Sequence, residues 1–456
     1  MEYAGKKVAV IGLAVSNTPL IRYLVENGAD VTVFDKKESH ELDSYMAQLA
    51  DLKVDYVLGE SYLTKLTGFD DIFVTPGMRK NIPEFQRARD EGSIFSSEME
   101  LFFKKCPAPI IGITGSSGKT TTTTLIGEMI RSQYEDTYVG GNIGRSLMGN
   151  LSEMNPDTKV ILELSSFQLQ ELKQSPKISA ITNITPNHLD MHASMEEYIE
   201  AKSNILRFQD VDDLAILNYD YQITRDLGAL TKAKIYYFSR MRPLDEGAFL
   251  DGDKLVVRLD GKTEVVTTRQ ELKLLGDHNV ENILTAALVS KLAGVRPEAI
   301  TKVAREFAGV EHRLEFIRDL NQVTYYNDSI STTPDRAIAG LKAMTKPTIL
   351  IAGGYDKHLP FDLLAQVIVE KCKHLIVLGV TAHMITDAVK TINSKFPVDK
   401  ATSLSGAVSL AANLAAPGDV VLLSPACASY DMFKNYQERG MLFKTLVNEL
   451  SGLTTN

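Results

Sequence analysis

The sequence predicts an α/β protein of three domains, each built on a mostly parallel sheet. Three observations predict it. Short apolar runs alternate with amphipathic stretches almost throughout, the pattern of strand–helix units laid side by side in parallel. The chain has 456 residues, more than one ordinary core encloses. A glycine-rich turn, Thr114-Gly-Ser-Ser-Gly-Lys-Thr120, joins an apolar run to a helical one, and about one hundred residues, a domain's worth, precede it.

The first domain (1–106) opens with the strand Val8–Leu13, continues through a helix over Arg22–Val25 and the strand Asp30–Asp35, and closes with Asp71–Thr75 and a helix ending near Lys104. Gly12-Leu-Ala-Val-Ser-Asn17 stands where a dinucleotide fingerprint would, and Asp35 ends the second strand as a ribose-binding acid would. Ala14 and Asn17 replace the second and third glycines of that fingerprint, so a Rossmann-like lobe holding another nucleotide fits better than an NAD site. Pro107 and Pro109 mark a linker. The central domain (107–309) starts at the phosphate loop and contains the strands Val160–Leu164, Ala180–Asn183 and Leu214–Asn218. Between Gly247 and Thr267, alternating residues suggest short antiparallel strands. The third domain (310–456) resumes strand–helix alternation with Val323–Asn327, Thr348–Ala352, Leu375–Leu378 and Val420–Leu423. The whole reads as Rossmann-like, then P-loop ATPase, then Rossmann-like.

Bulk properties narrow the partners. A formal charge of −9 with no block of basic residues argues against nucleic acid or an anionic membrane as partner. The three cysteines are far apart and form no CxxC, which fits a reducing compartment better than a disulfide frame or zinc cluster. No apolar stretch is long enough to span a bilayer, and the N-terminus reads as a strand rather than a signal peptide. A soluble cytoplasmic protein is expected.

The chemistry concentrates in a few motifs. A glycine-rich turn before a helix aims backbone N–H groups at one point on the positive end of the helix dipole, a phosphate cradle. Gly115, Ser116, Ser117, Gly118 and Thr121 shape it, Lys119 reaches terminal phosphates, and the Thr120 hydroxyl suits Mg²⁺. Glu163 ends an apolar strand beside this loop, either as a Mg²⁺ ligand or as a solvated strand end. His188 and His192 are one helical turn apart without the glutamate or third ligand of a zinc site. His188 is the better ligand candidate, and His192 reads as a surface histidine. Lys202, in Tyr198-Ile-Glu-Ala-Lys202, reads from composition as a surface lysine on an amphipathic helix. Asn279 and Asn282 share a helix face and suit an adenine edge, or Asp277 or Asn279 caps the helix. In the third domain several of the segments His312-Arg313, Asn327-Asp-Ser329, Gly353–Lys357 and Ser424–Ser429 fall just after strands, and together they put Arg313, Lys357 and Ser429 on one rim, suited to an anionic substrate.

Taken in order, these segments resemble the Mur ligase family over nearly the whole chain: Thr114–Thr120, Gly140-Gly-Asn-Ile-Gly144, Glu163-Leu-Ser-Ser-Phe-Gln168, Asn183–Asp190, Gly276–Asn282, His312-Arg313, Asn327-Asp-Ser329 and Leu423–Ser429. The stretch Ser424–Tyr436 followed by Arg439-Gly440 most resembles members that add glutamate. The resemblance implies an ATP-dependent ligase that joins D-glutamate to UDP-N-acetylmuramoyl-L-alanine (UDP-MurNAc-L-Ala) through an acyl phosphate, in cytoplasmic peptidoglycan precursor synthesis. It implies two Mg²⁺, one at Thr120 and Glu163, the other at His188 and a Lys202 carboxylated by CO₂. It assigns Asn282, Arg313 and Asp328 to ATP. It assigns Val15, Ser16, Asp35 and Lys36 to the uracil end, Asn142, Ser165 and Gln168 to the acyl end, and Thr332, Lys357, Ser429 and Tyr436 to the amino acid. A monomer is expected. One departure stands out: Ile330 follows Ser329 where the family often carries lysine. The alternatives are another incoming amino acid such as L-glutamate, a folylpolyglutamate-synthetase-like ligase, which would not need the N-terminal lobe, and a non-enzymatic P-loop switch, which would leave Glu163, His188 and Lys202 idle.

Overall fold

A computed structural model describes residues 2–78, 81–144, 146–185, 192, 194–274, 276–357 and 359–451. The chain forms two compact units, 1–307 and 308–456. The first contains two sheets and the second one, so the three sheets predicted from the sequence are present.

The N-terminal sheet is wholly parallel, ordered Val54–Leu58, Asp30–Asp35, Lys7–Ile11, Asp71–Val74, Ile94–Ser96. Its central strand Lys7–Ile11 is buried from Val8 onward, as a strand covered on both faces must be. Asn17 explains the degenerate fingerprint. Its Nδ2 donates to the Gly12 carbonyl (2.7 Å) and to Thr75 Oγ1 (3.1 Å), tying the ends of two neighbouring strands together where a third glycine would leave space.

The central sheet has nine strands. Lys262–Thr268, Lys254–Leu259 and Gly247–Asp251 form the antiparallel patch anticipated from alternation. Lys234–Ser239, Leu214–Asn218, Ile178–Ile181, Ile110–Thr114, Lys159–Glu163 and Thr137–Gly141 follow, all parallel. Ile110–Thr114 thus lies between the strand ending at Ile181 and the strand ending at Glu163. The sequence reading missed several edge and short strands, among them Val54–Leu58, Thr137–Gly141 and Lys234–Ser239. These carry tyrosine, threonine and glycine among their apolar residues, so no continuous apolar run announces them.

In the second unit the sheet runs Glu315–Leu320, Val323–Asn327, Val420–Leu423, Thr348–Ala352, Cys372–Val377, Val398–Lys400, antiparallel only at the first pair. Apolar clusters fill both faces, one around Leu350 and Leu422 and the other around Ile351 and Val421, so alternate residues of the same strands feed opposite layers.

Within the first unit, Glu98 opens the helix Glu98–Lys105 and is buried, accepting from Ser146 Oγ at 2.6 Å. Burial pushes its carboxyl up to about 7 against the opposing effect of the serine bond. A folded-state pKa above the ordinary 4.5 stabilises the fold fully below that value and loses the contribution as pH rises through about 7. Glu98→Gln should therefore flatten the pH dependence of stability. Relative to the variant, the native chain should lose about 3 kcal/mol between pH 4.5 and pH 8, read from chemical denaturation at a series of pH values. Parallel curves for the two proteins would contradict this.

Candidate active site

The phosphate loop follows the central strand Ile110–Thr114 and leads into the helix Lys119–Arg131. Two of its glycines are required by geometry. Gly115 has φ +151° and a Cβ there would lie 1.9 Å from Thr182 Oγ1; Gly118 has φ +79° and a Cβ would lie 2.3 Å from Asn282 Oδ1. The strand Ile178–Ile181 supplies the clamp just past its end. Asn183 takes the Ser116 N–H on its carbonyl (2.8 Å) and the Ser117 N–H on its side-chain oxygen (3.0 Å). Thr182 Oγ1 donates to the Ser117 carbonyl at 2.7 Å. Lys119 Nζ donates back to the carbonyls of Gly115 (2.9 Å) and Ser116 (3.3 Å), folded over the loop it would leave to meet a phosphate. The first helical turn carries no acidic residue, so nothing there opposes an anion at the helix N-terminus. In the sequence Thr182 reads only as part of a strand and Asn183 only as part of a motif, because their role depends on a loop 65 and 66 positions away.

Glu163 ends the strand on the other side of the loop and is buried. Its Oε1 accepts from Asn142 Nδ2 (2.7 Å), while Oε2 is buried with no partner among the described residues. A carboxylate oxygen left this way is costly unless something fills the position.

Lys202 overturns the reading from composition. It lies on the helix Met195–Arg207, is 1% exposed, and donates from Nζ to Thr114 Oγ1 at 3.2 Å. Its Nζ lies 4.8 Å from the centre of the Tyr198 ring. Burial first and the Lys119 charge second hold its pKa well below the ordinary lysine value, with Glu163 pulling weakly the other way. Burial thus disfavours the charged form of this amine. His192 also differs from its surface assignment. It is 3% exposed, with Nε2 2.9 Å from Ser166 Oγ. His188 lies outside the described residues. Among the described residues no three His, Cys, Asp or Glu side chains form a metal cluster.

On the far side of the loop, Asn282 is buried. It accepts from Thr122 Oγ1 (3.3 Å) and donates to Asn279 Oδ1 (3.0 Å). The helix Asp277–Leu292 begins at Gly276 with no side-chain cap, so neither Asp277 nor Asn279 is the N-cap. Ser165 and Gln168 form a reciprocal capping box on the turn that follows Glu163. In the N-terminal lobe, Val15 and Ser16 are exposed on the turn before the first helix, and Lys36 pairs with Glu60 at the surface. Asp35 accepts the N–H groups of Leu13 (2.7 Å) and Lys37 (2.9 Å), bracing that turn.

In the second unit, Arg313 lies just before the strand Glu315–Leu320, and Lys357 and Ser429 follow the strands Thr348–Ala352 and Val420–Leu423. Glu315 pairs with Asn327 at the start of an antiparallel strand, and the strands ending at Leu423 and Ala352 are neighbours. Asp328 is buried, held by Ser331 (2.5 Å), Ser424 (2.7 Å) and the Leu314 N–H (3.2 Å), and burial pushes it up to about 6. Here it is a brace between loops. Lys357 is exposed, its pKa lowered by partial desolvation and then by Arg336. Thr332 donates its N–H to the Ile330 carbonyl, and the Tyr436 carbonyl accepts from Ser329 Oγ (2.8 Å). The sequence reading assigned no role to Arg439, which is buried against Ser329 Oγ (3.0 Å) and the carbonyls of Ser329, Cys427 and Ala428. Its only advance signal was its place in the Arg439-Gly440 motif.

A phosphate loop flanked by a buried carboxylate and a buried lysine, in a chain of three mostly parallel sheets, defines a nucleotide-dependent α/β enzyme. The chain belongs to the Mur ligase family. Residues 113–290 match the Mur ligase middle domain, 312–427 the Mur ligase glutamate ligase domain and 6–95 the Mur ligase MurD-like N-terminal domain. It is 49% identical over 452 residues to a UDP-N-acetylmuramoylalanine–D-glutamate ligase of Acetivibrio thermocellus, covering 98% of this chain and 97% of that one. A protein of the same name from Clostridium novyi is 47% identical over 450 residues, with 98% and 97% covered. Among solved structures, UDP-N-acetylmuramate-alanine ligase MurC from Thermotoga maritima shares the fold with a TM-score of 0.59 at 19% identity, covering 97% and 99% of the two chains. MurF from Acinetobacter baumannii does so with a TM-score of 0.56 at 17% identity, covering 98% and 91%. Family membership implies use of ATP.

Lys119→Ala should fold normally and bind ATP about 10- to 100-fold more weakly, the effect of losing charge-assisted bonds of about 1.5–3 kcal/mol. Titration calorimetry measures this, and unchanged affinity would remove Lys119 from the phosphate site.

Proposed function

We propose that the chain is the ATP-dependent ligase that joins D-glutamate to UDP-MurNAc-L-Ala. The observation that carries this reading is the buried pair flanking the phosphate loop: Glu163, with one oxygen unpartnered among the described residues, and Lys202, buried with its Nζ on Thr114 Oγ1. Glutamate as the incoming amino acid is supported by the names of relatives that match end to end.

In this reading residues 1–106 bind the UDP-sugar through Val15, Ser16, Asp35 and Lys36, 107–309 bind ATP, and 310–456 bind glutamate. The γ-phosphoryl group passes to a carboxylate oxygen of the alanyl end, forming one P–O bond as the bond to ADP breaks. The glutamate amine then attacks the acyl carbon, a C–N bond forms, phosphate leaves, and the amine sheds a proton. Lys119 follows the charge on the transferring group. Asn142, Ser165 and Gln168 orient the alanyl carboxylate, Asn282 meets adenine, and Arg313 with Asp328 borders the nucleotide. Thr332, Lys357, Ser429 and Tyr436 hold the amino acid.

The unpartnered Glu163 oxygen suits a hard cation, which takes oxygen ligands. Thr120 and Glu163 would hold one Mg²⁺, and His188 with Lys202 the other, together neutralising charge on the phosphates. Lys202 would serve once its neutral amine has added CO₂ and lost a proton, which turns a cation into an anionic oxygen ligand. Lys202→Ala should be nearly inactive and recover activity with added short carboxylic acids such as acetate, followed by phosphate release. Absence of rescue would count against the carbamate.

One chain carries all three lobes, so a monomer is proposed, and ATP and a UDP-sugar place the reaction in the cytoplasm. The deciding experiment is phosphate release from purified protein with ATP, UDP-MurNAc-L-Ala and a panel of amino acids. Release should require all three substrates. D-Glutamate should exceed D-glutamine by at least about tenfold in kcat/KM, because the amide forfeits the charge-assisted bonds to Lys357 and Ser429. Faster use of L-glutamate would overturn the stereochemistry and keep the ligase mechanism. Release without an amino acid would favour a nucleotide switch.

A further inference from the structure

We propose that His192 is a positioning residue, which sets the turn bearing Ser165–Gln168 against the helix bearing Lys202. The proposal rests on the ligase reading above for its kinetic consequence. Three contacts converge on this one imidazole. Nε2 lies 2.9 Å from Ser166 Oγ, in a pair whose two side chains are both buried. The ring stacks on Phe167 with centroids 5.0 Å apart and an interplanar angle of 3°. It meets the Tyr198 ring edge-on at 5.3 Å and 65°.

Each contact leads to a different part of the site. Ser166 and Phe167 belong to the short helix Ser166–Leu169, directly after the strand that ends at Glu163. Tyr198 lies one turn before Lys202 on the same helix, and its hydroxyl is 3.0 Å from Ser116 Oγ in the phosphate loop. On the N-terminal side, Gly77 lies against the Phe167 ring, where a Cβ would be 3.7 Å from it. A four-residue helix cannot hold its own orientation by backbone bonds alone. It takes its orientation from what grips its side chains, and the imidazole grips two of them while resting on the lysine helix. A purely apolar ring could supply the stack but not the bond to Ser166, and serine cannot stack. Histidine supplies both, which is the chemical reason for that residue here.

The test uses the full-length protein and the variants His192→Phe, His192→Asn, Ser166→Ala and the double variant His192→Phe/Ser166→Ala. His192→Phe keeps the stack and loses the polar contact; His192→Asn does the reverse. The expected result for His192→Phe is a fall of about tenfold or more in kcat/KM for UDP-MurNAc-L-Ala with KM for ATP within about twofold. Adding Ser166→Ala should then cost less than a further twofold, the signature of two residues acting through one contact. Amide hydrogen exchange across residues 163–170 should rise in both His192 variants while that across 277–292 stays unchanged. Wild-type kinetics and exchange in His192→Phe, or multiplicative losses in the double variant, would overturn the proposal. A general loss of protection reaching 277–292 would overturn it too, by making His192 a packing residue only. The exchange readout needs no turnover. A native protein that fails to ligate D-glutamate therefore refutes the functional reading, while the positioning role is still decided.

Discussion

The constraint on which the rest of the site depends is the burial of Lys202 beneath the phosphate loop. An ammonium in that position would be expensive to desolvate and would stand near Lys119. The chain accommodates it as a weakly basic amine donating to Thr114, whose hydroxyl in turn donates to the Leu164 carbonyl at 2.7 Å. A hydroxyl has one proton to give. With that proton on Leu164, Thr114 is left to accept from the lysine, which orders the direction of the chain of bonds. The same threonine ends the strand that launches the loop. Strand, loop and lysine are therefore positioned by one another, and the unpartnered Glu163 oxygen stands at the neighbouring strand end.

The two units use the same device. In each, parallel strands deliver loops to one edge of a sheet, and buried polar side chains lock those loops from behind. Asn183 and Thr182 do this for the phosphate loop. In the second unit Asp328 and Arg439 do it, the first binding hydroxyls and a backbone N–H and the second binding four neutral oxygens in two loops. Burial pulls Arg439 down to about 10, still charged at neutral pH. Side chains that lock a loop are spent on protein atoms, whereas Lys357 and Arg313 are exposed.

Most of the fold was legible because strands buried on both faces must be continuous apolar runs, and runs such as Thr348–Ala352 and Val420–Leu423 are unmistakable. Edge strands such as Thr137–Gly141 escaped, since a half-covered strand needs no such run. The phosphate loop was legible for a related reason. Its glycines and Lys119 act through backbone geometry and a reach of a few residues, so the chemistry is written locally. Lys202, His192 and Arg439 were not legible from their own neighbourhoods. Each sits on a segment whose polarity reads as surface, and each is buried by a different, distant part of the chain.

The sequence by itself determined the α/β class, the three sheets, the phosphate loop with Lys119 and Thr120, and the order of motifs that places the chain in its family. All of these are carried by local periodicity, turn chemistry and spacing. Tertiary structure decided which polar residues are buried and what they face. It lowered the pKa of Lys202 by burial, left one oxygen of Glu163 without a partner among the described residues, turned Asp328 into a brace and brought His192 against Ser166. The physical reason is that desolvation and hydrogen-bond satisfaction depend on everything packed around a group, and the strand neighbours of the end of Ile110–Thr114 lie far away along the chain, Glu163 beside Ile113 and Ile181 beside Thr114.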